Sequence, residues 1–130
     1  MTANANKSVV VVDNSPSLIT LFRRSAEDMK IDLHAFSTTD DAWVYLESNR
    51  PDLLFLNIKM PGRDGLTLLR DLRKLPQHQN TSIVMISSKD YAQDRSIASE
   101  LGALEFITKP MPIQTIKDAI IKHLGFASPQ

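Results

Sequence analysis

The chain has 130 residues, of which 42% are hydrophobic and 23% charged, a balance typical of one globular domain with an apolar core. Lysine and arginine together number 15, as do aspartate and glutamate, so the net charge favours neither nucleic-acid binding nor attachment to an acidic membrane. The sequence has no cysteine, which excludes disulfides and thiol catalysis and fits a cytoplasmic protein.

The predicted elements alternate between short apolar strands and amphipathic helices. The first strand covers residues 8–13, a β-branched run that suits burial on both faces but is far too short to cross a bilayer. The helix after it begins with Ser15 as N-cap and Pro16 as the first helical residue. The other strands are predicted over 32–36, 52–57, 82–87 and 105–108, and the helices over 15–29, 38–49, 66–75, 89–102 and 112–124.

This alternation predicts an α/β fold with a doubly wound, five-stranded parallel sheet and helices on both faces. At this size the common strand order is 2-1-3-4-5, the flavodoxin-like arrangement. A ligand site in such a sheet lies where the strand order reverses, beyond the carboxyl ends of the first and third strands. Those two ends carry Asp13, Asn14 and Asn57, so the topology predicts a site at these residues.

Four motifs end at the carboxyl ends of predicted strands and contain polar residues in a fixed order. They are "VVVVDN" at 9–14, "LFLNIKMPGRDG" at 54–65, "IVMISS" at 83–88 and "EFITKP" at 105–110. Together they resemble the receiver domain of two-component response regulators, a CheY-like domain, and the resemblance covers residues 7–124. Residues 1–6 are then expected to be a flexible lead, and residues 125–130 a tail or the start of a linker.

The resemblance implies a role for each of these residues. In the family an aspartate carboxylate accepts a phosphoryl group, Mg²⁺ neutralises the transferring oxygens, and a lysine and a hydroxyl bind them. Here Asn57 has the acceptor position, and the backbone carbonyl of Lys59 has a metal-ligand position. The remaining positions are the acidic pair at Asp13 and Asn14, the switch hydroxyl Ser87, the switch aromatic Phe106, and the phosphate-contacting Lys109, which precedes a cis proline in the family.

Two asparagines depart from the family pattern in the same direction. Asn57 is an amide that forms no stable acyl phosphate, and Asn14 replaces a carboxylate that normally contacts the metal. A magnesium site built from Asp13, Asn14, Asn57 and Lys59 should be degenerate and weak or empty. We therefore expect no catalysis and no cofactor, with Mg²⁺ only if the site functions, and Lys109 bonded to Asp13 or to the Asn57 amide.

The leading interpretation is a pseudo-receiver, not an enzyme, that acts through protein–protein contact. Its expected partners are a histidine kinase, an output domain or another receiver, bound at the face of the fourth helix, fifth strand and fifth helix, with a homodimer possible. Contact with membranes or nucleic acid is not expected. One alternative is an ordinary Mg²⁺-dependent receiver with an engineered Asp-to-Asn change at position 57. A flavin-binding protein of the same topology is disfavoured, because "DNSPS" has no glycine for a phosphate loop.

The remaining histidines and charged helix faces predict no further site. His34, His78 and His123 lack metal-like spacing and are expected on the surface. Trp43 is expected to serve packing, and the charged stretches 23–30 and 70–74 are expected to be solvated helix faces.

Overall fold

The computed structural model describes residues 7–125, so the predicted lead 1–6 and most of the predicted tail 125–130 lie outside the described residues. Strands and α-helices alternate from one end of the described chain to the other, as the sequence predicts. They are β1 (Ser8–Val12), α1 (Pro16–Met29), β2 (Asp32–Phe36), α2 (Thr39–Leu46), β3 (Leu53–Asn57), α3 (Gly65–Arg73), β4 (Ile83–Ser87), α4 (Ala92–Glu100), β5 (Glu105–Thr108) and α5 (Ile113–Leu124).

The strands form one parallel sheet in the order β2-β1-β3-β4-β5, which confirms the predicted fold class and strand order. The chain returns from β2 across β1 to β3, so the order reverses between β1 and β3. Asn57 is the last residue of β3 and pairs with Ile86 of β4, while Asp13 directly follows β1. The predicted site therefore lies at the expected edge of the sheet.

Each face of the sheet carries its own hydrophobic core, because successive side chains of a strand point to opposite sides. The core under α1 and α5 contains Phe22, Phe55 and Ile116, with the Phe22 and Phe55 rings in edge contact at 4.9 Å. The core under α2, α3 and α4 contains Leu46 and Leu68, both fully buried. Burial of an aliphatic side chain of this kind stabilises the fold by about 1.5–3 kcal/mol.

Helix boundaries differ from the predicted ones where a local side chain ends or delays the helix. Ser15 and Thr38 cap α1 and α2 by accepting backbone N–H bonds, and the Ser15 cap is the one predicted above. The helix α4 begins at Ala92 instead of 89, because the Ser87 hydroxyl accepts the Lys89 backbone N–H at 3.0 Å and holds a turn there. Within residues 7–125, no helix combines the length and apolar character needed to cross a membrane.

The predicted surface position of the histidines is wrong for His78, which is fully buried. A short 3₁₀ turn, Pro76–His78, that the sequence pattern did not predict carries this residue inward. Its Nε2 donates to the Leu46 carbonyl at 2.6 Å and its Nδ1 bonds the Thr81 hydroxyl at 2.8 Å, so both ring nitrogens are satisfied. His123 is also largely covered, with 9% of its side chain exposed, and its Nε2 bonds Glu105 at 2.7 Å.

The prediction of a solvated face over 70–74 is wrong for Arg73. Its guanidinium donates to the backbone carbonyls of Leu101, His78, Thr81 and Gly102 at 2.7–3.3 Å. Arg73 therefore fastens the end of α3 to the turn before β4 and to the end of α4. Burial lowers the pKa of this guanidinium from its ordinary value.

Candidate functional site

Four predicted site residues meet at the carboxyl edge of the sheet because each follows or ends a parallel strand. Asp13 follows β1, Asn57 ends β3, Ser87 ends β4, and Lys109 follows β5. The backbone joins two of these ends, since the Lys109 N–H donates to the Ser87 carbonyl at 2.7 Å. Asp13, Asn57 and Ser87 are all buried. Three buried polar residues side by side at a strand edge are typical of a binding or reaction site.

Asp13 is held by one neutral donor and one cation. Its Oδ1 accepts the Ser15 backbone N–H at 2.8 Å, at the start of α1. Its Oδ2 lies 3.0 Å from Lys109 Nζ, in a direction that gives charge attraction without an aligned hydrogen bond. Of the two partners expected for Lys109, the structure shows Asp13. This fully buried carboxylate is thus neutralised by the protein itself.

The Asn57 amide points toward the loop that follows β3. Its Nδ2 donates to the Lys59 carbonyl at 2.9 Å and to the Met60 sulfur at 3.6 Å. Both partners only accept hydrogen bonds, which assigns the NH₂ group, not the amide oxygen, to this side. A carboxylate at position 57 would place oxygen against oxygen here, unless a cation lay between them. The Asn57 amide N–H donates directly to the Lys59 carbonyl, so no cation is required between the two groups.

The residues present do not fit a divalent cation of the magnesium type. Such a cation needs several oxygen ligands, usually with two or more carboxylates. Of the four residues predicted to hold the metal, Asp13 has a carboxylate, and that group is paired with Lys109. The Lys59 carbonyl already accepts a hydrogen bond from Asn57. Asn14 offers a neutral, exposed amide. Across the described part of the chain, no three His, Asp or Glu side chains are grouped to hold a metal ion.

The two residues predicted to act as a switch lie on the same face of the sheet. Ser87 ends β4 two residues after Met85, and Met85 is the register partner of Phe106 on β5. Phe106 is half-buried and packs on the core under α2–α4. Arg95 of α4 covers the Phe106 ring at 4.6 Å and also bonds Asp90, in the loop after Ser87. This hydrogen bond holds the pKa of Asp90 below its ordinary value and raises that of Arg95. Sequence reasoning missed Arg95, since nothing in the motifs marks it.

The loop after Asn57 is fixed to α2 and α3 by Arg63, a second residue that no sequence motif singles out. The guanidinium lies 5.0 Å from the Trp43 ring centre, so Trp43 serves a cation–π contact as well as packing. It pairs with Asp71 at 3.3 Å and Asp40 at 3.8 Å, and the Arg63 carbonyl accepts from the Thr39 hydroxyl. These contacts join residues that are separated in the sequence, so no local sequence pattern predicts them.

Residues 9–121 match the family described as the response regulator receiver domain. The chain belongs to that family. It is 36% identical over 111 residues to the cyclic di-GMP phosphodiesterase response regulator RpfG of Xanthomonas campestris pv. campestris, a match that covers 84% of this chain and 29% of RpfG. It is 31% identical over 127 residues to the alkaline phosphatase synthesis transcriptional regulatory protein PhoP of Bacillus subtilis, covering 95% of this chain and 52% of PhoP.

The structure agrees with solved receivers. The BeF3-activated N-terminal receiver domain of RstA from Klebsiella pneumoniae superposes with a TM-score of 0.78 at 30% identity, covering 91% of this chain and 98% of that one. This receiver spans about half or less of RpfG and PhoP, which therefore contain segments beyond the part that it matches. It is a receiver domain of the two-component signalling class, whose members interact with histidine kinases and output domains and bind Mg²⁺ when functional.

Proposed function

We propose that this receiver signals by protein contact and does not accept phosphate at Asn57. The observation that carries the proposal is the hydrogen bond from Asn57 Nδ2 to the Lys59 carbonyl, together with the pairing of Asp13 and Lys109. The acceptor position has a neutral amide, and the oxygens that would hold a metal are committed to protein donors. The domain boundary 7–124 and the assigned roles of Ser87, Phe106 and Lys109 belong to the same proposal.

The chemical basis is the poor nucleophilicity of an amide. Phosphoryl transfer to a receiver uses a carboxylate oxygen as the attacking group and a cation to offset charge on the phosphoryl oxygens. The Asn57 side chain supplies neither the anionic oxygen nor a ligand charge that attracts the cation. The Lys109 ammonium group is already paired with Asp13, so it would have to leave that carboxylate to bind a phosphoryl oxygen.

The test is intact-mass measurement after incubation with magnesium and acetyl phosphate. The chain itself, Asn57→Asp, and Asn57→Asp combined with Asn14→Asp are compared. No phosphoryl group is expected on the unaltered chain, and the largest gain is expected on the double variant. A phosphoryl group on the unaltered chain would overturn the proposal.

An ordinary receiver inactivated by an engineered change at position 57 is the second candidate. It is favoured by the placement of Ser87 and Lys109, which both lie at the strand edge beside Asn57 as phosphoryl transfer requires. Full phosphorylation of the single variant Asn57→Asp would support it, since Asn14 would then be no obstacle. Phosphorylation of the double variant alone would count against it.

We assign partner binding to the face formed by α4, β5 and α5. The expected partner is a histidine kinase, an output domain or a second receiver. Leu104, directly before β5, is 51% exposed, and Phe106 and Arg95 lie beside it in a shallow cleft. An exposed leucine next to a half-buried aromatic is a feature of contact surfaces.

A homodimer on this face would be weakened by Leu104→Asp, because burying the new charge is unfavourable. Val44→Asp is the matched control, since Val44 is 68% exposed on α2, on another face. Sedimentation velocity over a concentration series measures the difference. If Leu104→Asp and Val44→Asp sediment alike at every concentration, this face is not the dimer interface.

A further inference from the structure

The helix α4 is less firmly anchored than its neighbour α3. Of its nine residues Ala98 alone is buried, whereas α3, which has the same length, buries five. Within residues 7–125 the start of α4 also lacks a side-chain cap, because the Tyr91 side chain at the N-cap position makes no hydrogen bond to the helix backbone. An element with few buried side chains shifts at a low cost in free energy. Contacts at its surface therefore decide where α4 lies.

Arg95 makes two such contacts near the start of α4. Its guanidinium lies 4.6 Å from the Phe106 ring centre, a distance typical of a cation–π contact. Its Nε–H donates to the Asp90 carboxylate, in the loop that precedes the helix. One side chain thus joins α4 both to β5 and to the loop after β4.

The loop that Arg95 holds begins at Ser87. The Ser87 hydroxyl oxygen accepts the Lys89 backbone N–H at 3.0 Å, and Asp90 is the next residue. Phe106 lies in β5, within the face formed by α4, β5 and α5. A continuous series of contacts therefore leads from the site edge of the sheet, through Asp90 and Arg95, to that face.

The charged groups in this series are accessible to solvent. The Arg95 side chain is 46% exposed and the Asp90 side chain 55% exposed. An exposed ion pair is weak, and these two side chains can separate without opening either hydrophobic core. The contact is therefore one that closes and opens in the folded protein.

We propose that Arg95 is a positioning residue that latches α4 to Phe106 and makes the position of the helix depend on the loop after Ser87. Asp90, Arg95 and Phe106 together form this Arg95 latch. When the latch is closed, the loop, the helix and the aromatic ring move as one unit. When it is open, the ring and α4 gain other positions, so the surface that they present changes. A change at the site edge then reaches the partner face without a phosphoryl group on Asn57, a consequence that rests on the proposed function above.

The test is ¹⁹F NMR of the full chain labelled with 4-fluorophenylalanine, in buffer without phosphodonor or magnesium. The chain has five phenylalanines, and single substitutions to leucine assign their resonances. Asp90→Asn and Arg95→Gln should each shift or broaden the Phe106 resonance and leave those of the core residues Phe22 and Phe55 unchanged. In the Arg95→Gln background Asp90→Asn should have no further effect, because Asp90 acts on the ring through Arg95.

Hydrogen exchange of the backbone amides gives a second measurement. In Arg95→Gln the amides of α4 should exchange about two- to fivefold faster, which is the loss expected from an exposed cation–π contact. The amides of α3 should keep their rates. Lys89→Gln is the matched control for both measurements, because it removes an exposed positive charge from the same loop without removing a member of the latch.

Three results would overturn the proposal. They are an unchanged Phe106 resonance in Asp90→Asn, an effect of Asp90→Asn that persists in Arg95→Gln, and a shift of equal size in Lys89→Gln. Unchanged exchange of α4 in Arg95→Gln would overturn it as well. Because the samples contain neither phosphodonor nor magnesium, these results are independent of the mass measurement that tests the proposed function.

Discussion

At the scale of single residues, the proposed function depends on the Asn57 amide, which has neither the negative charge nor the metal affinity of a carboxylate. Its N–H group lies 2.9 Å from the Lys59 carbonyl, where a carboxylate oxygen would need a cation between the two oxygens. An amide and a carboxylate have nearly the same shape, so either fits the space at position 57. The protonation and metal chemistry of the site differ, because one group donates hydrogen bonds and the other only accepts them.

Magnesium should leave the stability of the unaltered chain unchanged and should stabilise Asn57→Asp. Without a cation, that variant buries an unpaired carboxylate and is expected to lose about 1–3 kcal/mol of unfolding free energy. Urea unfolding with and without millimolar magnesium chloride measures both effects, with sodium chloride at equal ionic strength as the control. A magnesium-dependent midpoint in the unaltered chain would contradict this account of the site.

Gly65 has no room for a side chain where α3 begins. A Cβ atom there would lie 2.1 Å from the Asn57 carbonyl oxygen, so the backbone itself would have to move. We expect Gly65→Ala to destabilise the fold by about 3 kcal/mol in chemical unfolding. Gly62→Ala is the comparison, because Gly62 has φ +73° but open space around it, and about 1 kcal/mol is expected there. A smaller loss at Gly65 than at Gly62 would be inconsistent with the crowding.

The Asp90–Arg95 pair should make a pH-dependent contribution. Arg95 lowers the pKa of Asp90 below its ordinary value of 3.8, so the contribution is present above that value and is lost as pH falls through the lower folded-state pKa. Asp90→Asn should therefore melt below the unaltered chain at neutral pH, and the two melting temperatures should converge in acid. The difference is expected to be small, since both side chains are exposed. A gap that widens in acid would refute the assignment.

At the scale of elements, two polar side chains, the half-buried Arg73 and the buried His78, join the ends of helices that the sheet alone leaves separate. Arg73 links α3 to α4 and to the turn before β4, and His78 links that turn to the end of α2. Carbonyl groups at helix ends lack intrahelical partners, so these side chains satisfy groups that would otherwise be buried unpaired. The edge of the sheet opposite the site is thereby made rigid.

Loss of the Arg73 guanidinium should be costly. Arg73→Met keeps most of the aliphatic stem but leaves several carbonyl groups without their donor, and a loss of about 2–4 kcal/mol is expected. Arg70→Met on the same helix is the control, because Arg70 is exposed and should change stability by less than about 0.5 kcal/mol. Urea denaturation followed by circular dichroism compares them. Similar losses would show that Arg73 acts only through packing of its stem.

At the scale of the whole molecule, two hydrophobic cores share one sheet, so neither can unfold without exposing the other. The strand residues alternate between the cores, and every strand is hydrogen-bonded to its neighbours. This arrangement predicts one cooperative transition for the domain.

Phe55→Ala tests that cooperativity. It opens a cavity in the core under α1 and α5 and should cost about 3–5 kcal/mol. Trp43, the one tryptophan of the chain, packs against the opposite core, yet its fluorescence should report the same lowered urea midpoint as circular dichroism. Leu104→Ala is the exposed control and should leave the midpoint nearly unchanged. Separate midpoints for the two probes would show that the cores unfold independently.

Strand positions, strand order and the grouping of the candidate-site residues at one edge of the sheet were predictable from the sequence. Buried parallel strands are short continuous apolar runs, and the residue that ends each run lies at the same sheet edge, so residue order alone groups Asp13, Asn57, Ser87 and Lys109. Helix limits were less accurate: α2 ends at Leu46 instead of 49, and α4 starts three residues late. Single side-chain bonds such as that of Ser87 decide those limits.

The sequence by itself determined the fold class, the family resemblance and the neutral amides at positions 14 and 57, because apolar periodicity and residue type are local properties. Only the tertiary structure decided which cation neutralises Asp13, where the Asn57 amide points, how His78 is buried and which carbonyl groups Arg73 binds. Each of these depends on contacts between segments that are separated in the chain, or on the orientation of a side chain. The physical reason is that a hydrogen bond needs both distance and direction, and neither is encoded in the spacing of residues along the sequence.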